Sequence, residues 1–189
     1  MNLHDVIAVM LYIREKGPVG RYSICKALGM REGVVRGLLM RLHKQGLLDV
    51  LKAGVLLSKM GKKVLNEILT NLSIIQITEV DLSHFTGSPT NLAAHIRPPI
   101  VRSRSCIEER DLAVRFGAKG AVILVYSDNK LKVPAVYDDL SKYDPNTSQY
   151  IFTKFKLSNG DHIIIVFNNS KWMLLRPLMF LALKLKGYF

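Results

Sequence analysis

Between Gly29 and Gly46 the chain reads Gly-Met-Arg-Glu-Gly-Val-Val-Arg-Gly-Leu-Leu-Met-Arg-Leu-His-Lys-Gln-Gly. Val34, Val35, Leu38, Leu39 and Leu42 share one face at about 100° per residue, the mark of an amphipathic helix. The opposite arc carries Arg36, Met40, His43 and Lys44, with Gly33, Gly37 and Arg41 on one flank. A helix that buries one stripe and offers Arg and Lys on the other is shaped to lie in a DNA groove. Two glycines on such a helix cost about 1 kcal/mol each relative to Ala. They let the backbone approach a phosphate or base edge, or they let a neighbouring helix pack closely; spacing alone does not separate the two.

The flanking segments make this the second helix of a helix-turn-helix. Leu3 to Glu15 reads as a first helix with Val6, Ile7, Met10, Leu11 and Ile13 on its apolar face, ended by Lys16-Gly17-Pro18. Val19 to Tyr22 reads as an extended link. Ser23 is placed to cap a helix from Ile24 to Leu28, and Gly29 allows the left-handed residue that opens the turn. After Gly46, the apolar runs Leu47 to Leu51 and Val55 to Leu57 flank Lys52-Ala53-Gly54 and read as a hairpin. Ser58 begins a last helix, Lys59 to Leu69.

Helix, helix, helix, hairpin, helix is the winged-helix order. Leu28-Gly29-Met30, Val35, Leu38, Leu42 and Gly46-Leu47-Leu48 resemble the bacterial and archaeal winged-helix pattern. Leu57-Ser58-Lys59-Met60-Gly61 is similar to the Leu-Thr-x-x-Gly that follows the wing in such regulators. More narrowly, Gly20-Arg21-Tyr22 with Glu32-Gly33-Val34-Val35-Arg36 resembles a family of uncharacterised archaeal proteins that joins one winged helix to a conserved domain of unknown function. One departure stands out. The pattern has Ser or Thr capping the recognition helix, and this chain has Arg31, which cannot accept a bond from the orphan N–H groups. Either Glu32 or another group assists, or the positive helix end is left for a phosphate.

With double-stranded DNA as partner, chemistry assigns the roles. Arg36 suits a base edge, because its fork bonds guanine bidentately, and Met40 suits a thymine methyl. Arg31, Arg41 and Lys44 sit nearer phosphates. Lys52 at the wing tip reaches an adjacent phosphate or the minor groove. Arg21 either assists at the junction or pairs with Glu32 or Glu15. Winged helices also serve as protein-interaction modules, so the fold alone does not establish a DNA partner.

The rest of the chain, 74–189, reads as an α+β domain with a mostly antiparallel sheet. Ile74 to Val80 alternates and is rich in β-branched residues, hence a strand. A short helix is expected from Thr90 to Ile96, another from Ile107 to Phe116, and a strand from Ala121 to Tyr126 that turns into Leu131 to Val133. Tyr150 to Leu157 and His162 to Phe167 read as a hairpin around Ser158-Asn159-Gly160-Asp161. The apolar segment from Ser170 reads as a helix with Pro177 kinking it or sitting in its first turn after a short strand. It is apolar nearly all round and must be covered, by its own sheet or by a second subunit of a homodimer. Arg97, Arg102, Arg104 and Arg110 suggest a site for a small anionic effector, or salt bridges to Glu108, Glu109 and Asp111.

Charge agrees with an anionic partner. The 189 residues carry a net +12, with 12 Lys and Arg against 5 Asp and Glu over residues 1–70, and 15 against 10 over the remainder. Cys25 and Cys106 are isolated, and the five histidines have no metal-ligand spacing, so neither metal nor cofactor is expected. Gly117-Ala118-Lys119-Gly120 follows a helix rather than a strand, unlike a phosphate loop. Ser103, Ser105 and Cys106 have no evident base, and Glu108, Glu109, Asp111, Asp138 and Asp139 read as surface carboxylates rather than a catalytic set. Asp5, Arg14 and Glu15 argue against a secretory signal, and no apolar tract reaches spanning length. The expectation is a cytoplasmic DNA-binding regulator with its winged helix at residues 1–70, not an enzyme and not a membrane protein; the alternative is an enzyme or ligand-binding protein, its chemistry in residues 74–189, to which the winged helix is an appended module.

Overall fold

The computed structural model describes residues 2–98 and 106–188. The chain divides into two compact units, Met1–Asn71 and Leu72–Phe189.

The first unit is a winged helix. Helices α1 (Leu3–Lys16), α2 (Arg21–Leu28) and α3 (Glu32–Lys44) precede a two-stranded hairpin, β1 (Leu48–Leu51) and β2 (Gly54–Leu57), and α4 (Lys59–Asn71). Helix α1 is buried from His4 to Ile13, and Ile24 and Leu28 of α2 complete the apolar centre with Val35, Leu38, Leu42 and Leu65. The link after Pro18 joins the wing: Val19 and Val55 bond reciprocally through their backbones at 3.0 Å. Two details differ from the sequence reading. Helix α2 starts three residues earlier, at Arg21, so Ser23 lies inside it and Gly20 stands at the cap position. Val34 is half exposed, because α3 meets the core through the Val35–Leu38–Leu42 stripe and Val34 falls just outside it. Gly29, at φ 62° and ψ 36°, takes the left-handed conformation that ends α2.

A knot at Ser58 ties the hairpin to the helices. Its hydroxyl donates to the Gly46 carbonyl at 2.6 Å and accepts the Gly61 N–H at 2.9 Å, capping α4. Its own N–H bonds the Leu47 carbonyl at 3.1 Å. Gly61 is obligatory, because a Cβ there would collide with the Leu47 carbonyl oxygen.

The second unit is built on a five-stranded sheet in the order β3-β4-β7-β5-β6, antiparallel throughout. Its strands are β3 (Ile74–Val80), β4 (Thr90–Ile96), β5 (Gly120–Ser127), β6 (Lys130–Lys132) and β7 (His162–Asn168). Among the described residues four helices accompany it: α5 (Ser83–Thr86), α6 (Ile107–Arg115), α7 (Pro145–Lys154) and α8 (Leu175–Leu185). Ile163 and Ile165 face a core with Leu124, Leu131, Leu140, Ile151 and Phe155. Helix α8 packs across β4 and β7, and α6 packs on β5 and α8. Strand pleating turns Ile164 and Val166 to the face opposite Ile163 and Ile165. Burial on both faces is why β7 is a continuous apolar run. Helix α8 is thus covered by its own sheet and α6, with Pro177 in its first turn after a 3₁₀ turn at Trp172–Leu174 rather than a strand.

Two expected elements change type. Thr90 to Ile96 is a strand, not a helix: it lies between β3 and β7, paired along its length on both edges. Ala93 and Ala94 look helical in isolation, but they are fully buried, and small side chains suit a strand covered on both sides. Tyr150 to Leu157 is not a strand. Residues as far as Lys154 belong to α7, whose start is fixed by Asp144, accepting from the Thr147 N–H at 2.9 Å, and by Pro145 at the first helical position. The 158–161 segment therefore joins a helix to β7 instead of closing a hairpin.

That segment is anchored by Asp161, which is wholly buried. Its Oδ2 meets His95 Nε2 of β4 at 2.8 Å, accepts the Ser158 N–H at 2.8 Å and lies 3.7 Å from Arg97 Nη1. Breaking such a buried pair leaves its partners desolvated. Asp161→Ala is expected to destabilise the second unit by about 3 kcal/mol in urea unfolding followed by tryptophan fluorescence; a loss under about 1 kcal/mol would contradict the anchoring role. In the first unit, Gly61→Ala is expected to cost about 1–3 kcal/mol through overpacking against Leu47, read by circular dichroism as a lower melting temperature. An unchanged melting curve would contradict it.

Candidate nucleic-acid interface

The solvent-facing arc of α3 carries Arg36, Met40, His43 and Lys44, flanked by Gly33, Gly37 and Arg41. Met40 is 67% exposed, and Arg36, Arg41 and Lys44 are exposed as well. Among the described residues, no hydrogen bond or ion pair engages the side chains of Arg31, Arg36, Arg41, Lys44 or Lys52. His43 is tied instead, its Nδ1 at 3.1 Å from the Leu48 carbonyl at the base of the wing. Lys52 is exposed in the two-residue turn between β1 and β2. Arg21 pairs with Glu32, Nη2 to Oε1 at 2.9 Å, which settles its intramolecular partner. Arg31 occupies the N-cap of α3 with no side-chain cap bond, leaving the helix's first N–H groups and its positive dipole end open.

The glycines of α3 are bare. A Cβ at Gly33 or Gly37 would meet nothing within 4 Å, so packing against a neighbouring helix does not account for them. Both line a groove of about 380 Å³ with Asn2, Asp5, Val34, Leu38 and Arg41. The winged unit also exposes apolar residues: Tyr22 on α2, 77% exposed, and Val50 and Leu51 in β1. An extended link over 19–22 hides Tyr22, which lies on α2, and alternation in a four-residue strand is too short to reveal Val50 and Leu51.

The arginines of the second unit have separate engagements. Arg97 donates from Nη1 to the Ser158 hydroxyl at 2.8 Å, and Arg110 bonds Asp111 at 2.9 Å. Arg102 and Arg104 lie outside the described residues, as do Ser103 and Ser105. Glu108 and Glu109 both lie within ion-pair distance of Lys184, Asp139 accepts from Ser141, and Asp138 lies apart from them at a cavity. Among the described residues no group of three His, Cys, Asp or Glu is placed to hold a metal ion, and no helix is long and apolar enough to cross a membrane.

A winged helix with an open basic face, joined to an α+β unit with an antiparallel sheet, is the class this architecture defines. The chain belongs to the family defined by the domain of unknown function DUF4443, whose model matches residues 90–185. Residues 5–72 match the model described as the CggR N-terminal DNA-binding domain. Among solved structures the chain is similar to the hypothetical protein PH0730 from Pyrococcus horikoshii OT3. The two are 28% identical, with a TM-score of 0.75 over 100% of this chain and 94% of that one. No curated protein matches.

Because nothing opposes a side chain at Gly33 or Gly37, replacing either with Ala is expected to stabilise the winged unit by about 1 kcal/mol, measured as a shift in the urea midpoint. A loss of stability would reveal a packing role for these positions.

Proposed function

We propose that the protein is a transcription regulator that binds double-stranded DNA through α3 and the wing, with no catalytic task. The observation that carries this reading is the exposed, unpaired basic arc of α3 on a unit matching a DNA-binding family model. In this reading Arg36 bonds a guanine edge bidentately and Met40 lies against a thymine methyl. Arg31, Arg41 and Lys44 contact phosphates, and Lys52 grips the flanking backbone or the minor groove. Gly33 and Gly37 let the helix backbone come close to the duplex. Arg21 acts from the adjoining helix. The second unit joins two copies, so that two α3 helices read two half-sites, or senses a small effector. Such a protein works in the cytoplasm, where the DNA is.

Exposed Tyr22 and Met40 favour one other reading, a winged helix that docks on a protein. Fractionated genomic DNA separates the two. The full chain, incubated with mixed fragments over a salt series, is expected to retain a restricted set with a steep salt slope. Retention that mirrors the input, or that vanishes near physiological salt, would overturn DNA regulation. On the recovered site Arg36→Ala is expected to cost about 1–3 kcal/mol and to relax the preference at one base pair. Gly33→Ala and Gly37→Ala are expected to weaken binding while leaving the fold more stable. Unchanged affinity in all three would remove α3 from the interface.

A further inference from the structure

A cavity of about 520 Å³ opens at one end of the five-stranded sheet, within the size range of small-molecule sites. Register places Lys132, Val125 and His162 side by side across β6, β5 and β7, and all three line it. Pro98, Val133, Pro134 and the ring of Tyr137 supply further apolar wall. Tyr137 is braced by Tyr143, their centroids 4.4 Å apart, and the lip is clamped by reciprocal backbone bonds between Val133 and Tyr137 at 2.8 and 2.9 Å.

The polar groups at this cavity differ in availability. Lys132 is committed to Asp128 at 2.8 Å, and that bond holds the Asp128 carboxyl below its ordinary value. His162 Nδ1 lies 2.9 Å from the Gly160 carbonyl, which can only accept, so the ring donates there. Asn159 accepts the Asp128 N–H through Oδ1 at 3.2 Å. Asp138 is different: among the described residues no hydrogen bond or ion pair engages its carboxylate. Among the described lining residues the charge left unmatched is therefore negative, on a chain whose net charge is +12.

We propose that this cavity is a binding site for a small planar ligand bearing a cationic N–H donor group, an amine or amidine on an aromatic body. The flat part lies against Tyr137 and the prolines, and the donor end meets Asp138. The site is distinct from the arginine group read from sequence, which would take an anion. It also stands independently of the DNA reading, since binding is measured with no DNA present.

The test uses two probes of the same shape and opposite charge. Benzamidine and benzoate are titrated into the ¹⁵N-labelled full chain, and amide shifts are followed by NMR. Benzamidine is expected to give saturable shifts at Val125, Ser127, Tyr137 and His162, and benzoate is not. Asp138→Asn, an exposed position that leaves the core untouched, is expected to weaken benzamidine about tenfold. Benzoate binding as tightly as benzamidine would overturn the proposal. So would shifts confined to other residues, the absence of saturable binding, or an Asp138→Asn affinity equal to that of the unaltered chain.

Discussion

The side chain of Ser58 holds together the part of the molecule that faces outward. One hydroxyl donates to Gly46 and accepts from Gly61, so the segment after α3, the end of the wing and the first turn of α4 meet at a single oxygen. Gly61 contributes by having no side chain where the Leu47 carbonyl passes. Each bond is worth about 1 kcal/mol, yet together they close the hairpin loop against the helix that precedes it. Without that closure a two-stranded ribbon is only marginally stable in water. With it, the wing that carries Lys52 is tied to the segment that follows α3.

The second unit depends on a different constraint. Its central strands β4 and β7 are buried on both faces and paired on both edges, and their polar side chains lie towards the strand ends. Asp161 and His95 form a buried pair that fixes the turn into β7. The cavity lies just beyond, where the sheet ends and Ser127, Asn159 and Asp138 gather. This rim thus carries polar side chains that the apolar faces of the sheet do not.

The winged unit was legible because its signals are local. The Val35–Leu38–Leu42 periodicity, Gly29 at a helix end and Lys52-Ala53 between two apolar runs each speak within a few residues. The same locality explains the errors. Ser23 is a good cap in isolation, but Arg21 and Tyr22 are drawn into the helix ahead of it. Thr90 to Ile96 is a strand because β3 and β7 flank it, and no window of seven residues contains that information. Asp144-Pro145, the start of α7, is a local signal for a helix, whereas the β-branched and aromatic residues from Tyr150 onward favour a strand. The cavity brings Pro98, Val125, Tyr137 and His162 together across more than sixty positions of chain, so no spacing rule could reveal it. The open basic arc of α3 was readable as a pattern, but the fact that its cations are unpaired required coordinates.

Helix α3 begins without a side-chain cap, carries two glycines in its first half, and has its first turn linked to α2 by the surface pair Arg21–Glu32 at 2.9 Å. Such a pair contributes about 0.2–1 kcal/mol and is weakened by salt. The start of α3 is therefore held by a surface ion pair where a capped helix has a side-chain bond to its own N–H groups. On the proposed DNA-binding reading, a phosphate reaching this end would compete with Glu32 for Arg21 and would meet the N–H groups that no side chain caps. The pair would then serve as a placeholder, one ion pair exchanged for another.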